Sequence, residues 1–338
     1  MKPVYIHSAV AISAQDSFTM ETEFMPLSLS LKKAPALHPN YRDFISPPSL
    51  RRMAPVVKMG VAAAKKALQQ VDLTTPDAII TGSGMGCMED TEKFLNTLIA
   101  NNEAFLTPTA FIQSTHNTVG AQIALDLKCK GYNITYVNGS VSFESALLDT
   151  QLMIQEEGIS VLVGGVDELG TEFVDYMAML EAKKDNPMQV PFSEGASFFV
   201  LSSEKKNASV QLKDIQTSTS ISENNIITAT KEFLKSNGLE PSDIDAVFTG
   251  NRGDAFDSYY KKIKSNLFSE INNVYFKEFS GEYYTASAFG TWMAYQLITT
   301  QIQLDRAQKS NKEKSYKNVL IYNQENGKNH SFVLLSRC

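Results

Sequence analysis

The chain has 338 residues, 43% of them hydrophobic and 20% charged, a globular balance that excludes a disordered chain. A net charge of -6, from 31 Lys+Arg against 37 Asp+Glu, gives no electrostatic reason to expect a nucleic acid partner, because phosphate binding needs clustered cations. No apolar run reaches the ~20 residues of a membrane span, the start MKPVYIHSAVAISAQDS lacks the order of a secretion signal, and three scattered cysteines make no disulfide framework, so a cytoplasmic protein is expected.

Residues 4–12 (VYIHSAVAI) read as an opening strand. Residues 13–50 carry five prolines and predict an irregular surface excursion with some local structure. A helix is predicted over 50–71, with Pro55 tolerable only near its first turns. The short apolar strand 77–81 ends in Gly82-Ser83-Gly84-Met85-Gly86, and a helix follows over 89–101. Residues 111–128 contain a helix. YNITYV at 132–137 is β-branched and aromatic, hence a strand. Helix 142–157 and the buried strand 160–164 come next. Strands 196–201 and 208–215 read as a pair joined by a polar turn. The second half repeats this grammar: helix 224–237, strand 246–249 ending in Gly250, helix 259–268, strand 273–276 and a long amphipathic helix 285–307. A closing hairpin, 318–322 with 331–336, turns at Asn326-Gly327, and 308–317 is a charged exposed loop. Two βα-rich halves of similar plan, without visible sequence similarity, predict one layered α/β body.

Four patterns carry more than secondary structure. GSGMG follows a strand. Ser114-Thr115-His116-Asn117 precedes a helix, and Asn138-Gly139-Ser140-Val141-Ser142 follows the strand YNITYV. Val163-Gly164-Gly165-Val166-Asp167-Glu168 closes another strand, and Pro191-Phe192-Ser193-Glu194-Gly195-Ala196 opens the next. No one of them is specific. Their joint order resembles the β-ketoacyl synthases of the thiolase superfamily over most of 1–205, and more weakly over 240–338. The resemblance implies a layered α/β/α/β/α thiolase-like fold with two pseudo-repeated halves, near 1–205 and 206–338.

That family condenses acyl chains with a Cys at the N-terminus of a buried helix, where helix amides lower the thiol pKa and hold the oxyanion. Two histidines stabilise the enolate formed on decarboxylation. Here Ser140 matches the Cys. Asn251, in Gly250-Asn251-Arg252-Gly253-Asp254, and Glu282, after Lys277-Glu278-Phe279-Ser280-Gly281, match the two His positions. Tyr322-Asn323-Gln324-Glu325-Asn326-Gly327 replaces the family's Gly-rich C-terminal loop. Serine needs an adjacent base. Asn251 can donate a hydrogen bond, but an ionised Glu282 repels a developing enolate, and a protonated one would need burial to raise its pKa.

The resemblance therefore implies a non-catalytic subunit of the chain-length-factor kind, similar to those of type II polyketide, aryl polyene or flexirubin systems. It would dimerise with an active β-ketoacyl synthase, or with itself, through the edge strand 132–137. It would shape an acyl pocket, with Phe105, Phe111, Ile112, His116, Tyr136 and Phe143 as tunnel or interface candidates. The alternative is an atypical acyltransferase or condensing enzyme with Ser140 as nucleophile. A third reading is a homodimeric scaffold for acyl carrier protein. Lys32, Lys33, Arg42, Arg51, Arg52 and Lys58 are the cations that could meet an acidic carrier helix, or simply a solvated face.

Bland readings stand beside the sharp ones. Ser140 is favoured as a helix N-cap over a nucleophile. Cys87 is read as a small buried hydrophobe, and Glu194 as a buried turn-fixing carboxylate. GSGMG lacks the later Gly and acidic partner of a dinucleotide site. Four scattered histidines give no metal spacing, and no cofactor is expected.

Overall fold

The computed structural model describes residues 2–20, 23–104, 106, 108–300 and 316–338. In chain order its elements are β1 (Val4–Ile12), β2 (Lys33–Ala34), α1 (Pro47–Leu50), α2 (Pro55–Gln69), β3 (Ala78–Gly82), α3 (Met88–Ala100), α4 (Pro108–Gln113), α5 (Thr118–Leu127), β4 (Tyr132–Tyr136), α6 (Ser142–Glu157), β5 (Val161–Asp167) and α7 (Glu172–Glu181). Then come β6 (Phe192–Ser193), β7 (Gly195–Ser202), β8 (Val210–Ser218), α8 (Ile226–Ser236), β9 (Ala246–Thr249), α9 (Ser258–Leu267), β10 (Asn272–Tyr275), α10 (Lys277–Ser280), α11 (Ala286–Thr300), β11 (Asn318–Glu325) and β12 (Lys328–Arg337).

Ten strands run β10-β9-β11-β12-β8-β1-β7-β5-β3-β4. Numbered within each half, both halves show the order 3-2-4-5-1, and in both the fifth strand is antiparallel to the fourth. The βα grammar thus recurs as the same topology. α6 packs between β3 and β5 on one side and β8 on the other, and α11 touches β7 and β1 as well as β11 and β12. These two helices form a central layer. α2 and α5 cover the outer face of the first five strands, and α8 and α9 pack against each other in a separate apolar cluster with Val247, Leu320 and Phe332 of the second five. The result is the α/β/α/β/α thiolase-like layering.

Several expectations are corrected. The helix predicted over 50–71 is shorter: α2 starts at Pro55, at its first helical position, while 51–54 are not helical and Leu50 ends α1. Strands β7 and β8 are not a hairpin pair: β1 lies between them and bonds to both. Seven connecting residues reach up to ~23 Å, ample to step over one strand. α11 is not amphipathic. Ala286, Phe289, Trp292, Met293 and Leu297 are all buried, as a helix enclosed between two sheets requires. The tail of that predicted helix and most of the 308–317 loop lie outside the described residues, as does Phe105. α7 had no counterpart in the sequence reading.

β5 runs through Gly164 and Gly165 instead of ending there. A Cβ on Gly164 would fall 2.4 Å from the Phe198 ring, and one on Gly165 2.9 Å from Ala288. Both glycines admit close packing of the central helices and strands onto β5.

Candidate functional site

The turn between β4 and α6 holds the position matched to the family nucleophile. Gly139 takes φ +56° and Gly139–Val141 form one 3-10 turn. The turn is fixed by Ser142, whose Oγ accepts from Asn138 N at 2.9 Å and donates to Gly139 O at 2.7 Å. Asn138 Nδ2 adds a bond to Ser145 Oγ at 3.0 Å. The N-cap reading of Ser140 is therefore wrong: Ser142, two residues later, closes the turn. Among the described residues, the buried Ser140 Oγ has no hydrogen-bond partner. Beneath it, a Cβ on Gly82 would meet the Ser142 carbonyl at 2.5 Å, so the end of β3 must be glycine for the turn to seat.

Three carboxylates hold the surrounding loops. Asp167 Oδ1 accepts from Gly84 N and Met85 N at 2.8 Å each and from Ser83 Oγ at 3.0 Å. Its Oδ2 accepts from Thr285 N and Oγ1. The GSGMG amides that could cradle a phosphate are thus engaged by this chain's own aspartate. Glu168 accepts from Glu89 N at 2.7 Å and Val56 N at 3.1 Å, tying together the N-termini of α3 and α2. Burial pushes its carboxyl up to about 8, against those two N–H bonds. Glu194 accepts from Leu169 N and Ala36 N, as a turn-fixing carboxylate should. Burial opposes its charge, yet His38 and those amides hold it below the usual range. Cys87 is fully buried and burial raises its thiol pKa, which fits the small-hydrophobe reading.

At the two positions matched to histidine stands an ionic network. Arg252, only 9% exposed, donates to Asp254 Oδ2 at 2.5 Å and Asn326 Oδ1 at 2.8 Å, with Glu282 Oε1 at 3.8 Å. Burial opposes the guanidinium charge, but Glu282 and Asp254 outweigh it and raise its pKa. Lys277 Nζ lies 2.8 Å from Glu282 Oε2. Both Glu282 oxygens thus face cations, which suits an acceptor and not a hydrogen-bond donor. Main-chain bonds Glu282 N to Pro191 O and Ser193 N to Glu282 O pin its backbone. The buried Asn251 Oδ1 has no hydrogen-bond partner among the described residues. Glu144, fully buried on α6, accepts from Ser331 Oγ at 2.8 Å, and burial raises its pKa. Sequence reasoning gave Asn251 and Glu282 but missed Arg252 as the hub. The adjacent Asp254 and the retained Lys277 were the available signals.

The tunnel and interface candidates separate. β4 is an edge of the sheet. Phe111 is 55% and Ile112 63% exposed, with the Phe111 ring 5.4 Å from Phe94. His116 is exposed beside Gly86, and Tyr136 is half-buried near Asp149. Phe143 is different. It lies in the core against Phe199, with no exposed surface. Of the cations, Arg42, Arg51 and Arg52 are exposed, while Lys33 is paired with Asp175 at 2.8 Å.

Residues 30–236 match the β-ketoacyl synthase N-terminal domain family. The chain belongs to that family. No curated protein sequence matches it. Among solved structures it is similar to the ishigamide ketosynthase/chain length factor, at 17% identity and TM-score 0.80 over 99% of each chain. It is similar to a β-ketoacyl synthase from Burkholderia phymatum STM815, at 17% identity and TM-score 0.78 over 100% of each chain. It also resembles the ketosynthase ApeO in complex with its chain length factor ApeC from Xenorhabdus doucetiae, at 15% identity and TM-score 0.78, over 100% of this chain and 98% of that one. At these identities the likeness is one of fold.

Proposed function

We propose that this β-ketoacyl synthase family member is a non-catalytic subunit of the chain-length-factor kind, which dimerises with an active β-ketoacyl synthase and shapes its acyl pocket. One observation carries the reading: Glu282, at the second histidine position, is engaged by Lys277 and Arg252. A decarboxylating site needs donors aimed at a developing enolate. This one offers an acceptor already paired, and among the described residues Ser140 Oγ has no hydrogen-bond partner.

The dimer forms through β4, which pairs with β3 on one side and is the end of the sheet on the other, an edge that is a template for another chain. Phe111, Ile112, His116 and Tyr136 then face the partner and bound the space open to a growing chain, with Tyr136 packing on the core cluster that holds Phe143. Arg51 and Arg52 receive an acidic acyl carrier protein. The chain is organised as two halves, 1–205 and 206–338, supported by the repeated strand order, and works in the cytoplasm. Two of the structural relatives are described as ketosynthases with chain length factors, in keeping with this reading.

An acyl-Ser140 enzyme is the second reading, and a Ser140 Oγ with no hydrogen-bond partner among the described residues weighs against it, since serine needs an adjacent base. Incubation with acyl carrier protein loaded with a radiolabelled acyl group separates the two. No label on the chain is expected. Label lost on Ser140→Ala would make Ser140 a nucleophile.

A further inference from the structure

Two cavities flank the ionic network. One, of about 250 Å³, is rimmed by Lys261 and Lys264 and reaches Asn251 and Tyr275. The other, of about 190 Å³, is walled by Met85, Met177 and Met188 and bounded by Glu282, Tyr284 and Glu325. Among the described residues, Arg252 alone lines both. Its head is held by Asp254 and Asn326, and its carbonyl accepts from Gln189 N at 2.8 Å, so both ends of the residue are fixed. The methionine-walled cavity abuts the Ser140 turn. A Cβ on Gly139 would lie 3.4 Å from Glu325 Oε2 and 3.9 Å from the Tyr284 ring, and both residues bound that cavity.

We propose that Arg252 is a steric partition: its side chain interrupts one passage running from the lysine rim to the Ser140 turn, and so denies that turn to a carrier-borne thioester. The inference rests on the reading of the chain as a subunit that holds no acyl group of its own. It adds that access, and not only chemistry, is closed. The cations at Lys261 and Lys264 suit the anionic end of an extended ligand, and the methionine walls suit its apolar end. The guanidinium stands where such a ligand would have to pass.

The test uses the full chain carrying Ser140→Cys, with Arg252 as it is, with Arg252→Ala/Asp254→Asn, or with Arg252→Met/Asp254→Asn. Asp254→Asn removes the carboxylate that would lose its partner and keeps an acceptor for Phe256 N. Methionine keeps length without charge. The thiol introduced by Ser140→Cys displaces halide from iodoacetamide, the small probe, or from chloroacetyl pantetheine, the long one, and mass spectrometry of the peptide holding residue 140 reports both apart from the free thiols of Cys87, Cys129 and Cys338. The alanine form should label with the long probe about tenfold faster than the arginine form. The methionine form should stay slow, and iodoacetamide should change little across the three. Equal long-probe rates in the arginine and alanine forms would overturn the partition. So would a fast methionine form, or an introduced thiol that neither probe labels in the alanine form. Failure of the non-catalytic reading shows separately, as acylation of unaltered Ser140.

Discussion

Lys277 Nζ lies 2.8 Å from Glu282 Oε2, on a lysine only 3% exposed, at the place where the family carries its second histidine. A buried cation stripped of its partner is costly, whereas replacing both members with apolar residues is often neutral. Glu282→Ala should therefore destabilise the fold by about 3 kcal/mol in denaturant unfolding. The double variant Lys277→Met/Glu282→Leu should lose less than Glu282→Ala alone, and a larger loss would contradict the pairing.

Glu168 gives the stability a pH slope. Its folded pKa, about 8, lies above its unfolded value of 4.5, so between these values the folded state holds a proton that the unfolded state has released. Stability contributed by that proton is full below about 4.5 and is lost as pH rises through about 8. The slope is about 1.4 kcal/mol per pH unit at most. Buried Asp167 and Glu144, also raised, act in the same direction. Unfolding curves of Glu168→Gln across pH 5 to 8 should be flatter than those of the parent by roughly that share.

Phe111 and Ile112, in the proposed interface, are exposed in the single chain, so they can be altered without harm to the core. Phe111→Glu/Ile112→Glu should weaken association with a ketosynthase about thirtyfold or more in analytical ultracentrifugation, and leave the melting temperature nearly unchanged. Unaltered association would move the interface elsewhere.

Charge reversal at Arg51 and Arg52 should weaken acyl carrier protein binding about tenfold at low salt and much less at high salt, by titration calorimetry. A salt-independent loss would point to misfolding and not to lost attraction.

Much of the fold was legible because strand and helix periods are local. α6 and β9 occupy the predicted ranges, β4 is a strand as its β-branched, aromatic residues predict, and its edge position is what the family resemblance implied. What stayed hidden depends on neighbours far along the chain. Nothing in 196–215 reveals that β1 separates the two strands. The sequence EFVDYMAMLE buries only Val174 and leaves Tyr176, Met179 and Leu180 exposed, so α7 showed no single apolar stripe. At the site, Ser140, Asn251 and Glu282 came from matching the motif order to the family's positions. The hub was not visible, because Arg252, Lys277, Glu282 and Asn326 meet only through the fold. Ser140 and Ser142 are chemically alike, and only geometry says which of them holds the turn.

Gly82 is a sensitive point of that geometry. Gly82→Ala places a methyl 2.5 Å from the Ser142 carbonyl, a backbone atom that cannot rotate away. The expected loss is about 2 kcal/mol in unfolding free energy.

The central claim is that this chain assists a condensing enzyme without condensing. The direct measurement is co-expression with a ketosynthase encoded beside it, one that retains the Cys and both histidines. Size-exclusion chromatography follows, then intact mass after exposure to acylated carrier protein. A tight one-to-one heterodimer in which only the ketosynthase gains the acyl mass is the predicted result. A homodimer that ignores the ketosynthase and takes the acyl group onto Ser140 would contradict it.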